Sequence, residues 1–112
     1  MTFRLTAPRI SENDVELACV HLLRYRHYYP LRIHSGRWKR DGRWTTIGEP
    51  GIPDYCVPRF FVEVKRPGGI VSIVQQKKFA ELEGDPWRIP VVIVDRVEAL
   101  RDWLIEYERE RR

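Results

Sequence analysis

The stretch GIPDYCVPRFFVEVKRPGG, residues 51–69, constrains the fold more than any other part of the chain. Two short runs of aromatic and branched residues flank Pro58-Arg59, a pattern that predicts a β-hairpin with its turn at this dipeptide. Because proline at the first turn position disfavours the primed turns, we expect a four-residue loop around a type I turn. A loop of two or four residues places Asp54 opposite Glu63, whereas a three-residue loop would shift this register.

Three charged residues interrupt the apolar pattern of this hairpin: Asp54, Glu63 and Lys65. Side chains alternate between the two faces of a strand, so Glu63 and Lys65 point to the same side of the sheet. Two carboxylates directly opposite each other repel, and a divalent cation bound between them removes that cost. The spacing alone leaves two interpretations open, a Mg²⁺ site and a salt-bridge cluster at the edge of the sheet.

The segment before this hairpin predicts one helix and one further hairpin. The helix begins near Ser11, which forms a capping-box pattern with Asp14, and ends within residues 25–27. The extended chain that follows contains Asp41-Gly42, a strong hairpin turn signal.

The segment after the central hairpin predicts a helix, a strand and a last helix. The helix begins at Ser72, with Gln75 in the capping-box position, and ends at Gly84. The apolar run RIPVVIV, residues 88–94, predicts a buried strand, and Asp95 is expected to cap the last helix.

With the extended chain before the central hairpin counted as one strand, the order of elements is α-β-β-β-α-β-α, which predicts an α/β fold with a central mixed β-sheet flanked by helices. Strand 60–65, helix 73–83 and strand 89–94 have the pattern of a right-handed parallel crossover. Ligands in such folds gather at one end of the sheet. A chain of 112 residues is expected to form a single domain, here spanning residues 1–112.

The composition excludes several classes of protein. Apolar residues make up 43% and charged residues 32% of the chain, which is typical of a globular protein and not of a disordered one. No window approaches the roughly 18 consecutive apolar residues of a membrane span, and the N-terminus lacks the apolar core of a signal peptide. Cys19 and Cys56 are too few for a disulfide framework and lie at no zinc-finger spacing from histidine. We therefore expect buried reduced thiols and a cytoplasmic protein.

The positive charge is concentrated in one segment. The net charge is +4, and residues 32–43 contain five Lys/Arg against one acid, Asp41. Such a segment suits phosphate binding, with its tryptophans on sugar or bases, although a solvated hairpin whose tryptophans pack on the core has the same pattern. Arg66, Lys77 and Lys78 lie close to the central hairpin in sequence and are further expected phosphate contacts. The basic residues of the segment are Arg32, Arg37, Lys39, Arg40 and Arg43.

The residues around the charged trio also resemble a known family. The dipeptide PD at 53–54, followed after eight residues by EVK at 63–65, matches the PD-(D/E)XK nuclease signature. The runs GIPD, FFVEVKRPGG and SIVQ closely resemble the virus-type replication-repair nuclease (VRR-NUC) domain of that superfamily. The likeness extends from about Ser11 to Leu104, and the chain looks like the free-standing copies of this domain in phages and bacteria. The resemblance thus implies the cytoplasm of a bacterium or of a phage-infected host.

This resemblance implies a PD-(D/E)XK, restriction-endonuclease-like fold, a Mg²⁺ or Mn²⁺ site and hydrolysis of phosphodiester bonds. Carried over by position, Asp54 and Glu63 would be metal ligands. Lys65 would be the catalytic lysine, which orients the attacking water or stabilises developing negative charge.

The resemblance also implies that Gln75 supports the site. Gln75 occupies a capping-box position as well, and the two roles can coexist; Gln76 is the alternative if the preceding loop differs. Ile73-Val74 stands where the family usually has a proline and a polar residue, a departure that affects the entry into the helix and not the metal.

The family's early helix carries a glutamate, which in this chain is Glu12 or Glu16. On a helical wheel Glu12 lies near Cys19 at the edge of the apolar stripe, while Glu16 is rotated by about 40° toward solvent. Glu12 also lies in the first turn, where the helix dipole favours a carboxylate. We therefore assign Glu12 to the site as a further metal ligand, although an ordinary first-turn acid has the same pattern.

Together the resemblance and the charge pattern predict a divalent-metal-dependent DNA endonuclease. Small free-standing members of the family resemble Holliday-junction resolvases, so branched DNA is the expected substrate. A domain with one active site would need a homodimer to cut two strands symmetrically. The alternatives are a non-catalytic DNA-binding module that keeps the nuclease fold and a purely structural domain.

Overall fold

The structure, a computed structural model, describes residues 10–34 and 36–111, without the side chains of residues 36–38, 40 and 45–47. Within these residues the chain forms three helices and six strands. In chain order they are α1 (Glu12–Tyr25), β1 (Leu31–Arg32), β2 (Gly36–Arg40), β3 (Arg43–Ile47), β4 (Tyr55–Val57), β5 (Phe60–Val64), α2 (Ile73–Glu83), β6 (Val91–Val94) and α3 (Val97–Glu110).

Four strands form a mixed sheet in the order β1-β4-β5-β6. The pairs β1–β4 and β4–β5 are antiparallel, while β5 and β6 are parallel. Helix α2 connects the two parallel strands, as the crossover pattern predicts. The predicted class, an α/β fold with a mixed sheet and helices, is therefore confirmed at this level.

The hydrophobic core lies between the sheet and the helices α1 and α3. In β5, Phe60, Val62 and Val64 are fully buried and point to this side of the sheet, because alternate residues share a face. Helix α1 contributes one stripe to the same core, and α3 contributes another. The helix residues of the core are Val15, Cys19, Leu23, Leu100, Leu104 and Tyr107.

The helix ends largely follow the sequence signals. Ser11 caps α1 and forms the predicted capping box with Asp14, and Ser72 does the same for α2 with Gln75. The expected cap of α3 is wrong: the N-cap residue is Arg96, whose side chain makes no cap hydrogen bond, and the Asp95 carboxylate instead accepts from Arg96 Nε at 3.1 Å.

The predicted order of elements is incomplete, because five strands and not three precede α2. The strands β2 and β3 form a two-stranded sheet of their own, which we call the basic hairpin. Its turn residues Asp41 and Gly42 have φ values of 53° and 77°, as a type I′ turn requires. The additional strand β1 is only two residues long and pairs with β4 at the edge of the main sheet.

The central hairpin has the predicted register but a different turn. Tyr55 pairs with Val62, and the last pair, Val57 with Phe60, leaves a two-residue connection. The expected four-residue loop with a type I turn is wrong, because Arg59 has a φ of 91°. Proline excludes the primed turns at the first position, so the positive φ at the second identifies a type II turn.

Two further expectations concern the cysteines and the membrane. Both cysteines are free; Cys19 is buried, which raises the pKa of its thiol to about 11, and Cys56 is half-buried. In the described part of the chain, no helix combines the length and the apolar character that crossing a membrane requires.

Candidate functional site

The hairpin register brings the two carboxylates of the PD and EVK motifs together. Asp54 immediately precedes β4, and Glu63 lies in β5, one position beyond the pair that Tyr55 forms with Val62. The Asp54 N–H donates to Glu63 Oε1 at 3.2 Å, and the Val64 N–H donates to Asp54 Oδ2 at 2.8 Å. These two hydrogen bonds hold one oxygen of each carboxylate in place.

Glu63 carries its charge in an interior position. The residue is 2% exposed, because β5 is flanked by β4 and β6. Burial, followed by the nearby charge of Asp54, raises the pKa of the Glu63 carboxyl to about 7. Lys65 opposes this rise without cancelling it. A buried carboxylate beside another acid therefore favours the approach of a cation.

Lys65 follows β5 directly and remains attached to the sheet through its N–H, which donates to the Val94 carbonyl at 2.8 Å. Its ammonium lies 3.3 Å from Glu63 Oε2 and donates to Gln75 Oε1 at 2.9 Å. The side chain is only 16% exposed. These contacts hold Lys65 beside the carboxylate pair.

Gln75 belongs both to the site and to the cap of α2. Its Nε2 donates to Glu63 Oε2 at 3.1 Å, and its Oε1 accepts from the Lys65 ammonium and from the Ser72 N–H. The Gln75 N–H in turn donates to Ser72 Oγ at 3.1 Å. The capping box and the hydrogen bonds with Glu63 and Lys65 are therefore present together. Gln76, the alternative, donates to the Val71 carbonyl.

Of the two candidate glutamates in α1, Glu16 contacts the site. Its Oε1 accepts a hydrogen bond from the Tyr55 hydroxyl and lies 3.8 Å from Arg32 Nη1. Arg32 Nη1 also lies 3.2 Å from Asp54 Oδ1, so the guanidinium joins Glu16 to Asp54. Glu12 is exposed, and within residues 10–34 and 36–111 no hydrogen bond or ion pair involves its side chain.

The helical wheel could not identify Glu16, because its partner lies in another element. The neighbour is Tyr55, which follows Asp54 and points to the core side of the sheet with Val57. Burial, together with the Glu16 carboxylate, raises the pKa of the Tyr55 hydroxyl to about 12. A tyrosine directly after the PD motif is the one sequence signal for this contact.

The loop that carries GIPD packs tightly against the start of α2. Gly51 has a φ of 78°, and a Cβ built on it would lie 2.7 Å from the Val74 carbonyl oxygen. A side chain is thus excluded both by the backbone conformation and by the contact. Lys78, which lies in α2, also holds this loop through an ion pair with Glu49. The position of Asp54 depends on this loop.

The basic residues proposed for DNA binding lie in several environments. Lys78 pairs with both Glu49 and Glu81, and Arg32 lies against Glu16 and Asp54. Lys39 lies 6.0 Å from the ring centroid of Trp44, which is 60% exposed and so does not pack on the core. The other side chains that the structure describes are exposed, namely Arg43, Arg66 and Lys77. Arg37 and Arg40 belong to β2, but their side chains lie outside the described part of the chain.

The basic hairpin stands apart from the rest of the fold. Within the described residues, β2 and β3 contact each other and no other helix or strand. Its cations are therefore not needed for the hydrophobic core. This arrangement suits a surface that binds a partner.

The donor chemistry of Asp54 and Glu63 suits Mg²⁺ or Mn²⁺. Mg²⁺ is usually held by one or two carboxylates together with waters and substrate phosphates, so two carboxylates suffice. Among the residues that the structure describes, no group of three or more His, Cys, Asp or Glu side chains is close enough together to hold a metal. The protein would thus supply two carboxylates, with Glu16 beside them.

No protein-family model, curated protein or solved structure matched this chain in the three comparisons made.

Proposed function

We propose that this chain is a divalent-metal-dependent DNA endonuclease of the PD-(D/E)XK type, with the VRR-NUC domain as its family. The single observation that carries the proposal is the site itself. Asp54, Glu63, Lys65 and Gln75 come from three different segments and are joined by hydrogen bonds and one ion pair. A buried glutamate beside a second carboxylate, with its pKa raised to about 7, is the kind of group that clusters at functional sites.

Asp54 and Glu63 are the residues that would hold the metal. The sequence pattern adds Glu12 as a metal ligand. Because Glu16 contacts Tyr55 and Arg32, we assign the helix glutamate of the proposed site to Glu16, beside the two metal ligands and not as a third one. When bound, Mg²⁺ or Mn²⁺ would polarise a phosphoryl oxygen and lower the pKa of water.

Lys65 is the residue that acts on the reacting groups. Its ammonium, held by Gln75 Oε1 and Glu63 Oε2, is a fixed positive charge beside the carboxylates. Such a charge can orient a water nucleophile and stabilise negative charge that develops on the phosphate. Gln75 positions both partners, because its amide contacts Lys65 through the oxygen and Glu63 through the nitrogen.

DNA would lie across the site with its backbone held by the basic residues. The basic hairpin presents Lys39 and Arg43 to solvent, and Arg66 and Lys77 are exposed near the site in sequence. Phosphate contacts of this kind position the duplex without reading its sequence. Branched DNA, including Holliday junctions, is the proposed substrate, and a homodimer would supply two active sites for a paired cut.

The test is a cleavage assay with labelled four-way junction, flap, nicked and plain duplex DNA. We expect cleavage of at least one branched substrate in Mg²⁺ or Mn²⁺, none in EDTA, and none by Asp54→Asn. Tight binding without cleavage of any substrate in either metal would contradict the proposal. That result would support the alternative, a DNA-binding module that keeps the nuclease fold.

A further inference from the structure

We propose that Arg32 is an exchangeable counter-ion of Asp54, which leaves that carboxylate for a DNA phosphate when a divalent cation binds. This inference rests on the proposed function and assigns Arg32 a role that couples the metal to the substrate. It concerns a residue that the charge pattern places in the DNA-binding segment but that the structure places against the carboxylates.

The contacts of Arg32 are those of a cation shared between acids. Its Nη1 lies 3.2 Å from Asp54 Oδ1 and 3.8 Å from Glu16 Oε1, and it donates to the Asp54 carbonyl at 3.3 Å. The guanidinium carbon lies 5.3 Å from the centroid of the Tyr55 ring. Arg32 therefore neutralises the one oxygen of Asp54 that does not accept from Val64.

A bound divalent cation would change the charge balance of the site. Three carboxylates, Glu16, Asp54 and Glu63, face two cations, Arg32 and Lys65, which leaves one net negative charge. A divalent ion held by Asp54 and Glu63 would reverse the sign of this net charge and would lie close to both Arg32 and Lys65. Because like charges repel, one of these two side chains is expected to move.

Arg32 is the cation that can move. Its side chain is 41% exposed, whereas that of Lys65 is 16% exposed and is fixed by Gln75. All its contacts with the acids use Nη1, whereas the strong arginine–carboxylate pairs use two parallel hydrogen bonds. Strand β1, which carries Arg32, is a two-residue strand at the edge of the sheet, so few contacts oppose the change.

A guanidinium released beside the site would bind a DNA phosphate. Arginine remains charged under all ordinary conditions, and its planar fork matches phosphate oxygens. Metal binding would thereby bring one more cation to the DNA backbone at the edge of the site. The divalent ion should therefore raise the DNA affinity of the protein in two ways. One is its own contact with the DNA, and the other is the contact of the released Arg32 with a phosphate.

The test measures binding and not cleavage. Mn²⁺ is titrated calorimetrically into the parent chain and into Arg32→Gln, with Arg101→Gln as control, since Arg101 is an exposed arginine of α3. We expect Arg32→Gln to bind Mn²⁺ about fivefold more tightly than the parent, which corresponds to an ion pair of about 1 kcal/mol. Arg101→Gln should match the parent.

A second measurement follows DNA binding to an uncleaved junction in EDTA and in Ca²⁺. From EDTA to Ca²⁺, the DNA affinity of Arg32→Gln should rise less than that of the parent or of Arg101→Gln, because the variant has no guanidinium that Asp54 can release to the DNA. Unchanged or weaker Mn²⁺ binding by Arg32→Gln, with normal binding by the parent, would overturn this inference and leave the proposed function intact. Absence of Mn²⁺ binding to both proteins would overturn the inference and the proposed metal site together.

Discussion

Each oxygen of the Asp54 and Glu63 carboxylates has a defined partner. One oxygen of each accepts from a backbone N–H, and the others lie against Arg32 and Lys65. Backbone N–H groups fix where the carboxylates point, while the side-chain cations balance their charge. Single substitutions should therefore separate the geometry of the site from its charge.

Gln75 offers one such separation. Gln75→Ala removes its hydrogen bonds with Lys65 and Glu63 together with half of the capping box, whereas Ser72→Ala removes only the cap acceptor. We expect both variants to lower the free energy of unfolding by about 1 kcal/mol, as for other N-caps. Only Gln75→Ala should slow cleavage, by about tenfold or more. Chemical denaturation and single-turnover cleavage measure the two effects, and an equal fall in rate in Ser72→Ala would contradict a role for Gln75 in the site.

Glu63 should make the stability of the metal-free chain depend on pH. Its carboxyl has a pKa of about 7 in the folded protein and an ordinary value of 4.5 in the unfolded chain. At pH values between 4.5 and about 7, the folded state holds a proton on Glu63 that the unfolded state has released. The free energy of unfolding therefore falls as the pH rises through this range.

The measurement compares the parent with Glu63→Gln in EDTA across this range. The stability of the parent relative to Glu63→Gln should fall by about 3 kcal/mol as the pH rises through this range. Adding Mn²⁺ should reverse the fall in the parent alone, because the metal binds the ionised carboxylate. Parallel stability curves for the two proteins would show that Glu63 ionises normally.

At the scale of elements, the site depends on how the loop before β4 meets helix α2. The close approach at Gly51 and the pairing of Lys78 with Glu49 connect these two segments. Asp54 lies on one of them and Gln75 on the other. A change in the loop should therefore disturb the site without touching any residue in it.

Gly51→Ala tests this connection against Gly42→Ala. Both glycines have a positive φ, but a Cβ on Gly42 meets no atom within 4 Å, while one on Gly51 would clash with the Val74 carbonyl. We expect Gly42→Ala to cost about 1 kcal/mol, and Gly51→Ala to cost more and to reduce cleavage. Thermal unfolding and cleavage rates measure both effects, and identical behaviour of the two variants would contradict the packing argument.

The basic hairpin is a separate element with a separate expected role. Lys39→Gln combined with Arg43→Gln should weaken DNA binding. It should also reduce the slope of the logarithm of the binding constant against the logarithm of the salt concentration by about 0.9 for each phosphate that the variant no longer binds. The matched control, Arg101→Gln combined with Arg109→Gln, removes the same charge from α3. Binding isotherms at several salt concentrations compare the two double variants. Equal weakening of DNA binding in the control would indicate an effect of net charge alone.

The sequence predicts local features of this fold better than contacts between elements. The capping boxes at Ser11 and Ser72 and the register of the central hairpin depend on neighbouring residues, and the structure bears them out. Strand β1 could not be predicted, because two residues are too few to show the alternating pattern of a strand. Its pairing with β4 forms only in the folded sheet. The contact of Glu16 with the site could not be predicted either, because it depends on Tyr55, which lies in a strand far along the chain.

For the molecule as a whole, the proposed paired cut requires two copies of the site. Each chain contains one such cluster in its described part, so symmetric cleavage of a junction depends on a homodimer. Light scattering at assay concentration should give twice the chain mass of 13.4 kDa. A monomer mass, with and without junction DNA, would exclude the paired-cut model while leaving the cleavage chemistry in place.

Lys65→Ala is the sharpest test of whether the cluster of Asp54, Glu63, Lys65 and Gln75 hydrolyses DNA. Single-turnover cleavage of the preferred DNA in Mn²⁺ is compared between parent and variant, with thermal unfolding and junction binding in Ca²⁺ to show that the fold and the substrate affinity persist. We expect a rate at least about 100-fold lower in the variant, because a positioned charged group contributes that much to the reaction. A folded Lys65→Ala protein that cuts as fast as the parent would contradict this expectation.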